Sequence, residues 1–497
     1  MVDNVPVEIR GVSAIFPRRL DRFLTASEVS RKKLGRSGIL KKEVFQRPLF
    51  DRLEDGRLVT GLGAFLFLIK NPPPSIRFSI SKMDPVRSRL RETRIPPLMR
   101  SSPKWKVGGI ERFYFHEAME VLKGNHCGLI RLPTGSGKTA IAIALAYNQA
   151  REVGSGLIIT PSQIIRDQFL SSAEKWGVRV EDYRSYRGSP PSPSSITVST
   201  PRVILNDVVE SLDLRDSFRW IITDEVHHAK SRTLLDLYRS LPNLSRTHGF
   251  SARPISDGAA FLRSFYDMEY RDAMTLSNVG PILYQKRSKE LSHFLNLPKM
   301  IRYPFRWKKE VDGNDYHAIL NRLTGNEDRN RFLARLLDSL TKRGRRTVMF
   351  VPRVLNGERV LGLCKESKIA LWIGGKIRGR DGDKLTPSEI REQFGDRFLS
   401  LIMTSSYQMS EGLDLDRPVN TVVLTAGKSG IGNLQQSGRV TRPDEGGSLL
   451  INVRDENGGI LRYHSTQREK ILIEEFNPSM VVANNARVFD SILDSLL

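Results

Sequence analysis

The chain has 497 residues with a formal net charge of +23, and hydrophobic residues make up 39% of it. That length suits about two to four domains with real cores, and the longest apolar stretch, Ala64–Ile69, is far short of the ~20 residues that span a bilayer. No apolar signal core follows Met1, and Cys127 and Cys364 are too few for a disulfide framework or a zinc site. We therefore expect no membrane partner and a reducing compartment: the cytoplasm of a bacterium or phage-infected host, or the nucleus in a eukaryote.

About half of the excess positive charge lies in the N-terminal fifth of the chain. Residues 1–104 hold 22 Lys and Arg against 10 Asp and Glu, a net charge of +12. This excess favours nucleic acid as the partner, while acidic membranes and acidic proteins remain open from charge alone. The run Arg31–Arg36, taken by itself, fits a solvated face or a localisation signal. With the arginines at 87, 89, 91, 94 and 100 we interpret it as a surface that grips duplex or branched nucleic acid.

The pattern along the chain predicts three domains. Residues 1–106 have strand-like runs at Leu58–Thr60 and Ile76–Ile80 between proline-rich breaks, which indicate a small basic α/β domain that binds nucleic acid. In residues 107–310 and again in 311–497, short apolar runs alternate with helix-length amphipathic stretches. Such runs are typical of strands buried on both faces of a parallel sheet, so the fold class is α/β with two doubly wound domains. The runs are Gly128–Leu132, Gly156–Thr160, Ile196–Ser199, Trp220–Thr223, Thr247–Ser251, Thr347–Val351, Ala370–Ile373, Ser400–Thr404, Thr421–Thr425 and Ser448–Val453.

The strongest local motif is Leu132-Pro-Thr-Gly-Ser-Gly-Lys-Thr139, between a predicted strand and a predicted helix. Glycines let the backbone wrap closely around phosphates, and the amide groups and helix N-terminus supply partial positive charge. Lys138 is predicted to reach the β- and γ-phosphates of ATP, and Thr139 to ligate Mg²⁺. The predicted nucleotide-binding residues of this loop are Pro133, Thr134, Gly135, Ser136, Gly137, Lys138 and Thr139.

A second motif, Trp220-Ile-Ile-Thr-Asp-Glu-Val-His-His228, ends an apolar run in paired acids. Ligands of parallel sheets bind at the C-terminal ends of the strands. Asp224 is therefore the predicted Mg²⁺ ligand, and Glu225 the residue that orients and deprotonates the attacking water. His227 and His228 lack a third zinc ligand, so we reject a zinc site.

These residues resemble superfamily 2 helicases of the DExH type, and the matches occur in the order of that family. The further matching segments are Thr160–Gln168, Ser199–Arg202, Gly249–Pro254, Met349–Arg353, Ser406–Asp414 and Gln435–Arg442. The layout is most similar to the XPB-like branch, especially phage UvsW-type helicases. The hints are a basic domain ahead of the motor, Ser251–Gly258 and Gly427–Gly430.

The resemblance implies two RecA-like domains that together form an ATP site. It assigns catalytic roles to Asp224, Glu225 and Lys138, arginine-finger roles to Arg439 and Arg442, and a coupling role to His227 and Gln435. Gly412, Asp414 and Arg112 are the remaining nucleotide-binding candidates. The implied nucleic-acid contacts are Pro161, Gln163, Arg166, Thr200, Arg202, Arg353 and Ser406. Such contacts go mostly to phosphates, so we expect movement along a strand instead of recognition of one site.

Four positions depart from the family pattern. Ser406 stands where threonine is frequent, which keeps the hydroxyl. Leu132 stands where the strict phosphate-binding loop has glycine, and Arg253 where threonine is usual. Phe115 replaces the glutamine that reads adenine in relatives, which puts the selectivity for ATP in doubt.

The function predicted from these motifs is a monomeric helicase or translocase that uses ATP and Mg²⁺ and binds DNA in preference to RNA. Unwinding or remodelling of branched DNA in recombination, repair or replication is the first hypothesis. A double-strand DNA translocase of a restriction or defence system and an RNA helicase are the alternatives. A catalytically silent scaffold is disfavoured, because the residues of the ATP site are present. The sequence names no protein partner.

Overall fold

The computed structural model describes the chain except residues 1–2, 11–12, 18–23, 35–38, 53, 56, 72, 74–75, 84–89, 91–93, 101–105, 108–109, 229–230, 256–266, 307–315, 374–375, 381, 383, 405–414, 416, 427–435, 442–446, 457–458 and 497. Contacts divide the chain into two compact units. The first comprises Met1–Leu132 and Gly137–Lys286, and the second Pro133–Ser136 and Arg287–Leu497. The predicted domain boundaries after residues 106 and 310 stay predictions.

The N-terminal part of the first unit contains a mixed sheet with strand order β5-β6-β2-β1-β7 and a separate two-stranded hairpin, β3-β4. The predicted strands at residues 58–60 and 76–80 are confirmed as β6 and β7. The strands of this part are β1 (Asp3–Arg10), β2 (Ser13–Phe16), β3 (Thr25–Leu34), β4 (Ile39–Pro48), β5 (Asp51–Arg52), β6 (Leu58–Gly61), β7 (Ile76–Met83), β8 (Lys106–Val107) and β9 (Ile110–Glu111), and the helices are α1 (Leu62–Lys70) and α2 (Pro97–Arg100).

The first parallel sheet has the order β12-β13-β11-β14-β15-β10-β16, and each of its strand pairs is parallel. Its central strands are buried along their whole length, as the continuous apolar runs predicted. The strands are β10 (Cys127–Arg131), β11 (Gly156–Ile159), β12 (Glu181–Asp182), β13 (Ile196–Ser199), β14 (Trp220–Asp224), β15 (Arg246–Ser251) and β16 (Ile282–Gln285). The helices are α3 (Phe113–Gly124), α4 (Lys138–Glu152), α5 (Gln163–Lys175), α6 (Pro201–Glu210), α7 (Leu212–Ser217), α8 (Arg232–Ser240) and α9 (Tyr270–Val279).

The N-terminal sheet and the first parallel sheet share one hydrophobic core. Phe16 and Phe65 from the N-terminal part belong to the same buried cluster as Leu129 and Met274. A hydrogen bond of 2.8 Å between the hydroxyls of Thr60 and Ser277 joins β6 to α9. The basic N-terminal part is therefore built into the first unit by apolar packing.

The second unit contains a sheet with the order β21-β20-β19-β22-β18-β23-β24-β17-β25. Its pairs are parallel except β19-β20 and β20-β21. One face of the helix Glu327–Lys342 is apolar and buried, since Leu333, Leu337 and Leu340 are fully buried. The strands are β17 (Lys299–Arg306), β18 (Thr347–Val351), β19 (Ile369–Ile373), β20 (Lys376–Gly379), β21 (Lys384–Leu385), β22 (Ser400–Thr404), β23 (Thr421–Leu424), β24 (Leu449–Glu456) and β25 (Met480–Val482). The helices are α10 (Tyr316–Gly325), α11 (Glu327–Lys342), α12 (Val354–Leu363), α13 (Pro387–Gln393), α14 (Ile460–Phe476) and α15 (Ala486–Leu496).

The predicted α/β fold class with two doubly wound parallel-sheet parts is confirmed. Within the described ranges, no helix is both long and apolar enough to cross a membrane. Both cysteines are free and buried.

Candidate nucleotide-binding site

The loop between β10 and α4 has the backbone geometry of a phosphate-binding loop. Gly135 and Gly137 have φ angles of +83° and +88°, which glycine adopts without strain. A Cβ atom at Gly137 would lie 2.7 Å from Cζ of Phe115, so a larger residue would collide with that ring. Ser136 is fully buried, and its hydroxyl donates a hydrogen bond of 2.7 Å to the carbonyl of Pro133. The loop is thus closed on itself at the N-terminus of α4, where amide groups favour an anion.

The order of strands explains which side chains meet beside this loop. β15 lies between β14, which ends in Asp224, and β10, which leads into the loop. The last residue of β15, Ser251, therefore contacts both sides. Its carbonyl accepts a hydrogen bond of 3.2 Å from the amide of Leu132, and its hydroxyl donates one of 3.1 Å to Oε2 of Glu225.

Glu225 is held by several polar neighbours within the first unit. Nζ of Lys138 lies 4.0 Å from its Oε1, and Nδ1 of His227 lies 3.3 Å from its Oε2. Nδ1 of His227 is also 3.0 Å from the hydroxyl of Ser251. Burial acts to raise the pKa of Glu225, but Lys138, His227 and Ser251 together lower it to about 2. The carboxylate is therefore ionised throughout the neutral range.

The backbone at Glu225 is strained. Its φ angle of +46° is uncommon for a residue with a side chain, and such strain concentrates at functional sites. Its amide donates a hydrogen bond of 3.0 Å to Oδ1 of Asp224, which is 7% exposed at the end of β14. The turn thus presents two adjacent carboxylates at the sheet edge.

The oxygen atoms of the side chains at this end of the first parallel sheet suit Mg²⁺ as ligands. Thr139, half-buried in the first turn of α4, and Asp224 offer a hydroxyl and a carboxylate oxygen. Mg²⁺ takes oxygen ligands and is usually bound through one or two carboxylates together with substrate phosphates and water. The residues present therefore fit the ion.

Arg112 and Phe115 lie beside the phosphate-binding loop. Phe115 is fully buried in α3 and contacts the ring of Tyr114 edge-on, with centroids 5.2 Å apart. Nη1 of Arg112 donates a hydrogen bond of 2.9 Å to the hydroxyl of Tyr114. Burial outweighs the opposing effect of Arg112 and raises the pKa of Tyr114 to about 12. The Phe115 ring packs against the loop at Gly137. It has no polar group that could form a hydrogen bond with the base of a nucleotide.

Four predicted nucleic-acid contacts fall at one edge of the first sheet. Pro161 and Gln163 follow β11, and Thr200 and Arg202 follow β13, its parallel neighbour. The amide of Thr160 donates a hydrogen bond of 3.0 Å to the carbonyl of Ser199, which ties the two strand ends together. Gln163 and Arg202 are exposed.

Arg166 is placed differently from these four residues. It is 2% exposed, and its Nε donates a hydrogen bond of 3.1 Å to Asp167. Asp182 lies 3.9 Å from the same nitrogen. In this structure the guanidinium contributes to packing within the first unit.

The second unit contains the other predicted site residues. Arg353 is the half-buried N-cap residue of α12, directly after β18. Arg439 is 9% exposed in a short 3₁₀ helix, Gly438–Thr441. The predictions for Ser406, Gly412, Asp414, Gln435 and Arg442 lie outside the described residues.

The candidate site includes one residue that sequence reasoning did not single out. Ser251 falls within predicted segments but has no predicted role, although it contacts Glu225 and Leu132 and lies 3.0 Å from His227. The available signal was its position at the end of an apolar run, like Asp224. Leu132, the departure from the strict motif, is fully buried and fixes the start of the loop to β15.

Known proteins resemble this chain in sequence and fold. Residues 103–255 match the family described as "Type III restriction enzyme, res subunit". The chain is 23% identical over 340 residues to "Putative helicase 22" of the Sulfolobus islandicus filamentous virus, covering 63% of this chain and 58% of that protein. It is 24% identical over 334 residues to "ATP-dependent DNA helicase uvsW" of Enterobacteria phage T4, covering 64% and 62%. The chain thus spans about three fifths of the length of these relatives.

The fold is similar to the solved structure of Dbp5 from S. cerevisiae bound to RNA and ADP BeF3. The TM-score is 0.52 at 15% sequence identity, covering 77% of this chain and 93% of that one. At this identity the likeness shows the fold alone, which is that of two RecA-like domains. Taken together, the family match and the two relatives, both of which are named as helicases, show that this chain is similar to helicases in sequence.

Proposed function

We propose that this chain is an ATP-dependent DNA helicase or translocase that unwinds or remodels branched DNA in recombination, repair or replication. The observation that carries the proposal is the contact set of Lys138, Glu225, His227 and Ser251 beside a phosphate-binding loop. A silent scaffold has no need of a strained, ionised carboxylate at this position.

The roles of the residues in the first unit follow from their chemistry. The backbone amide groups of Thr134–Gly137 and the side chain of Lys138 bind the phosphates of ATP. Thr139 and Asp224 would hold Mg²⁺, which neutralises charge on the phosphates when bound. Glu225 orients the attacking water and accepts its proton, while His227 and Ser251 position the carboxylate. Arg112, whose Nη1 lies 3.7 Å from a Cβ built at Gly137, is the remaining nucleotide-binding candidate of this unit.

ATP binding changes the environment of Glu225. In this structure the Lys138 ammonium, together with His227 and Ser251, lowers the pKa of that carboxyl. The phosphates of ATP compete for the same ammonium group, so their binding weakens the ion pair. The pKa of Glu225 then rises towards its ordinary value, which makes the carboxylate a better proton acceptor when substrate is present.

The resemblance to DExH helicases supplies the roles proposed for the second unit. Arg439 and Arg442 act as arginine fingers, which stabilise charge on the γ-phosphate and are worth roughly 10³–10⁵-fold in rate. Gln435 couples to His227, and Gly412 and Asp414 bind near the ribose. Arg353 and Ser406 contact nucleic acid. The chain is further proposed to belong to the XPB-like branch and to act as a monomer.

Pro161, Gln163, Thr200 and Arg202 are the proposed nucleic-acid contacts of the first unit. Their support is the shared sheet edge formed by the ends of β11 and β13. Gln163 and Arg202 are exposed and suited to phosphate contacts, whereas Arg166, with its two acidic neighbours, is proposed to support this edge.

Two observations support DNA, with a contact outside the helicase motifs. The phage T4 relative is named as a DNA helicase. The N-terminal 104 residues carry a net charge of +12 and pack into the same unit as the phosphate-binding loop's helix, so much of the positive charge lies outside the segments that resemble helicase motifs.

A double-strand DNA translocase of a restriction or defence system is the second candidate. The description of the matched family, which names a restriction enzyme subunit, favours it. An RNA helicase is the third, since the fold also serves RNA-bound proteins.

The test is the rate of ATP hydrolysis with equal concentrations of single-stranded DNA, plain duplex, forked DNA, single-stranded RNA and RNA duplex. We expect forked DNA to stimulate most, with strand separation that requires ATP. Stimulation by plain duplex without strand separation would select the translocase, and stimulation by RNA alone would select the RNA helicase. No stimulation by any of them would contradict the proposal.

A further inference from the structure

The hairpin β3-β4 is long and forms a two-stranded sheet of its own, in which β3 contacts α9. Its strands pair antiparallel over ten residue pairs, from Thr25 with Pro48 to Leu34 with Ile39. Among the described residues it pairs with no other strand. At about 3.4 Å per residue its arms extend about 30 Å. The base is anchored, because Leu24 and Leu49 are buried in the shared core and joined by a backbone hydrogen bond of 2.8 Å.

Positive charge is concentrated at the far end of this hairpin. Residues 31–42 contain six Lys and Arg and no Asp or Glu. The register sets Arg31 opposite Lys42, and Lys32 opposite Lys41. Like charges directly opposite each other destabilise a ribbon. A bound anion would offset this repulsion.

We propose that this hairpin enters the major groove of a B-form DNA duplex next to the branch point. The inference rests on the proposed function and deepens it by naming the substrate that the N-terminal part binds. The major groove of B-form DNA is about 12 Å wide and admits a two-stranded ribbon. Phosphates line both sides of the groove and offset the paired cations.

The same geometry selects against double-stranded RNA. The major groove of an A-form helix is deep and narrow, so a ribbon with side chains on both strands does not enter it. The contacts of the hairpin go to phosphates, which every sequence presents. The hairpin thus confers a preference for duplex DNA without a preference for sequence.

A second basic cluster provides the matched control. In the second unit a surface cavity of about 510 Å³ is lined by Arg331, Arg335, Lys342, Arg343 and Lys365. Asp338 and Asp490 line the same cavity, and Arg343 lies 3.1 Å from Asp490 and 2.8 Å from Asp494. Acidic neighbours already offset part of this charge.

The experiment compares two quadruple variants of the full chain. One carries Arg31→Gln, Lys32→Gln, Lys41→Gln and Lys42→Gln, and the control carries Arg331→Gln, Arg335→Gln, Lys342→Gln and Lys365→Gln. Each variant loses four positive charges. Each phosphate contact contributes roughly −0.9 to the slope of log K against log salt. For a DNA duplex we therefore expect the slope of the hairpin variant to be flatter by about three to four units, and that of the control to equal the wild type.

Three outcomes would overturn the inference. Equal flattening in both variants would indicate a general effect of net charge. A wild-type slope in the hairpin variant would show that the hairpin does not bind duplex. An equal loss of affinity for RNA duplex would contradict the selectivity for the B-form groove.

A second experiment tests whether the hairpin lies in the major groove. Guanine N7 lies in the major groove, so the wild type should protect it from methylation by dimethyl sulfate, and the hairpin variant should not. Weakened binding without any N7 protection in the wild type would place the hairpin on the outside of the backbone and contradict the proposal.

Two further measurements separate a failure of this inference from misfolding of the variant and from a failure of the proposed function. Because the substitutions remove like-charge pairs, the hairpin variant should melt no lower than the wild type. If single-stranded or forked DNA does not stimulate the wild-type ATPase, the proposed function fails. If it does, and the hairpin variant binds duplex as the wild type does, the hairpin inference alone fails.

Discussion

The hydroxyl of Ser251 donates a hydrogen bond of 3.1 Å to the Glu225 carboxylate from the neighbouring strand. This contact exists because β15 lies between the strand that ends in the paired acids and the strand that leads into the phosphate-binding loop. The amide of Arg253 donates to the same hydroxyl at 3.2 Å. Ser251 therefore links the candidate catalytic carboxylate to the segment that follows β15.

Ser251→Ala should lower kcat for ATP by about 10- to 100-fold with little change in KM. A hydrogen bond to a charged group contributes about 1.5–3 kcal/mol, and here it positions a carboxylate that acts in the chemical step. Steady-state ATPase kinetics measure the effect. Ser245→Ala is the matched control, since that hydroxyl donates to a backbone carbonyl at the other end of β15. An equal loss in both variants would indicate a purely structural role.

The base of the nucleotide should be selected weakly. Phe115 occupies the position of the adenine-reading glutamine, and its ring is fully buried against Gly137. Strong rejection of an analogue requires a site built to hydrogen-bond the base, which Phe115 does not provide. We expect kcat/KM for GTP to lie within about tenfold of that for ATP. A preference for ATP above 100-fold would show that another group reads adenine.

The N-terminal part should be required for the stability of the first parallel sheet. Phe65 is 2% exposed and belongs to the core shared with Leu129 and Met274. Phe65→Ala should cost about 3–5 kcal/mol, because it removes a buried ring and leaves a cavity.

The readout for Phe65→Ala is thiol labelling. Burial raises the pKa of Cys127 in β10 to about 12, so its thiol should not react at pH 8 while the first unit is folded. In a Cys364→Ala background, Phe65→Ala should expose Cys127 at a lower temperature than the parent. Leu66 lies on the same helix but is 36% exposed. Leu66→Ala should therefore leave the temperature at which Cys127 becomes labelled nearly unchanged. Equal behaviour of the two variants would contradict the shared core.

Arg439→Ala should lower ATP turnover while nucleic acid still binds. An arginine finger stabilises charge that develops in the transition state, so kcat should fall by about 10³-fold or more. The control is Arg462→Ala, at an exposed position of α14 in the same unit. Loss of nucleic-acid binding with normal turnover would reassign Arg439 to the nucleic-acid path.

The parallel sheets and the phosphate-binding loop could be predicted because their signals are local. Apolar runs such as Trp220–Thr223 follow directly from burial on both faces, and glycines at 135 and 137 follow from the backbone angles that the loop needs. The role of Ser251 could not be predicted from spacing, since it depends on which strands are neighbours in the sheet. The proximity of Arg166 to Asp182, 16 positions away along the chain, depends in the same way on the fold.

The hairpin shows the same division between local and long-range information. The basic run Arg31–Arg36 was visible in the sequence, but its partner strand was not. Only the register, which sets Lys32 opposite Lys41, shows that the charges oppose one another across a ribbon. Likewise, the composition of residues 1–106 predicted a basic domain but not its continuous core with the first parallel sheet.

The most direct test of the account is the hydrolysis and binding of ATP by Glu225→Gln with forked DNA present. This change removes the proton acceptor and keeps the shape of the side chain, so turnover should fall by about 10²- to 10⁴-fold. ATP should bind at least as tightly as to the wild type, because Lys138 no longer has its carboxylate partner and remains available to the phosphates. Glu174→Gln, at an exposed position of α5, should hydrolyse ATP at the wild-type rate. Wild-type hydrolysis by Glu225→Gln would contradict the proposed active site.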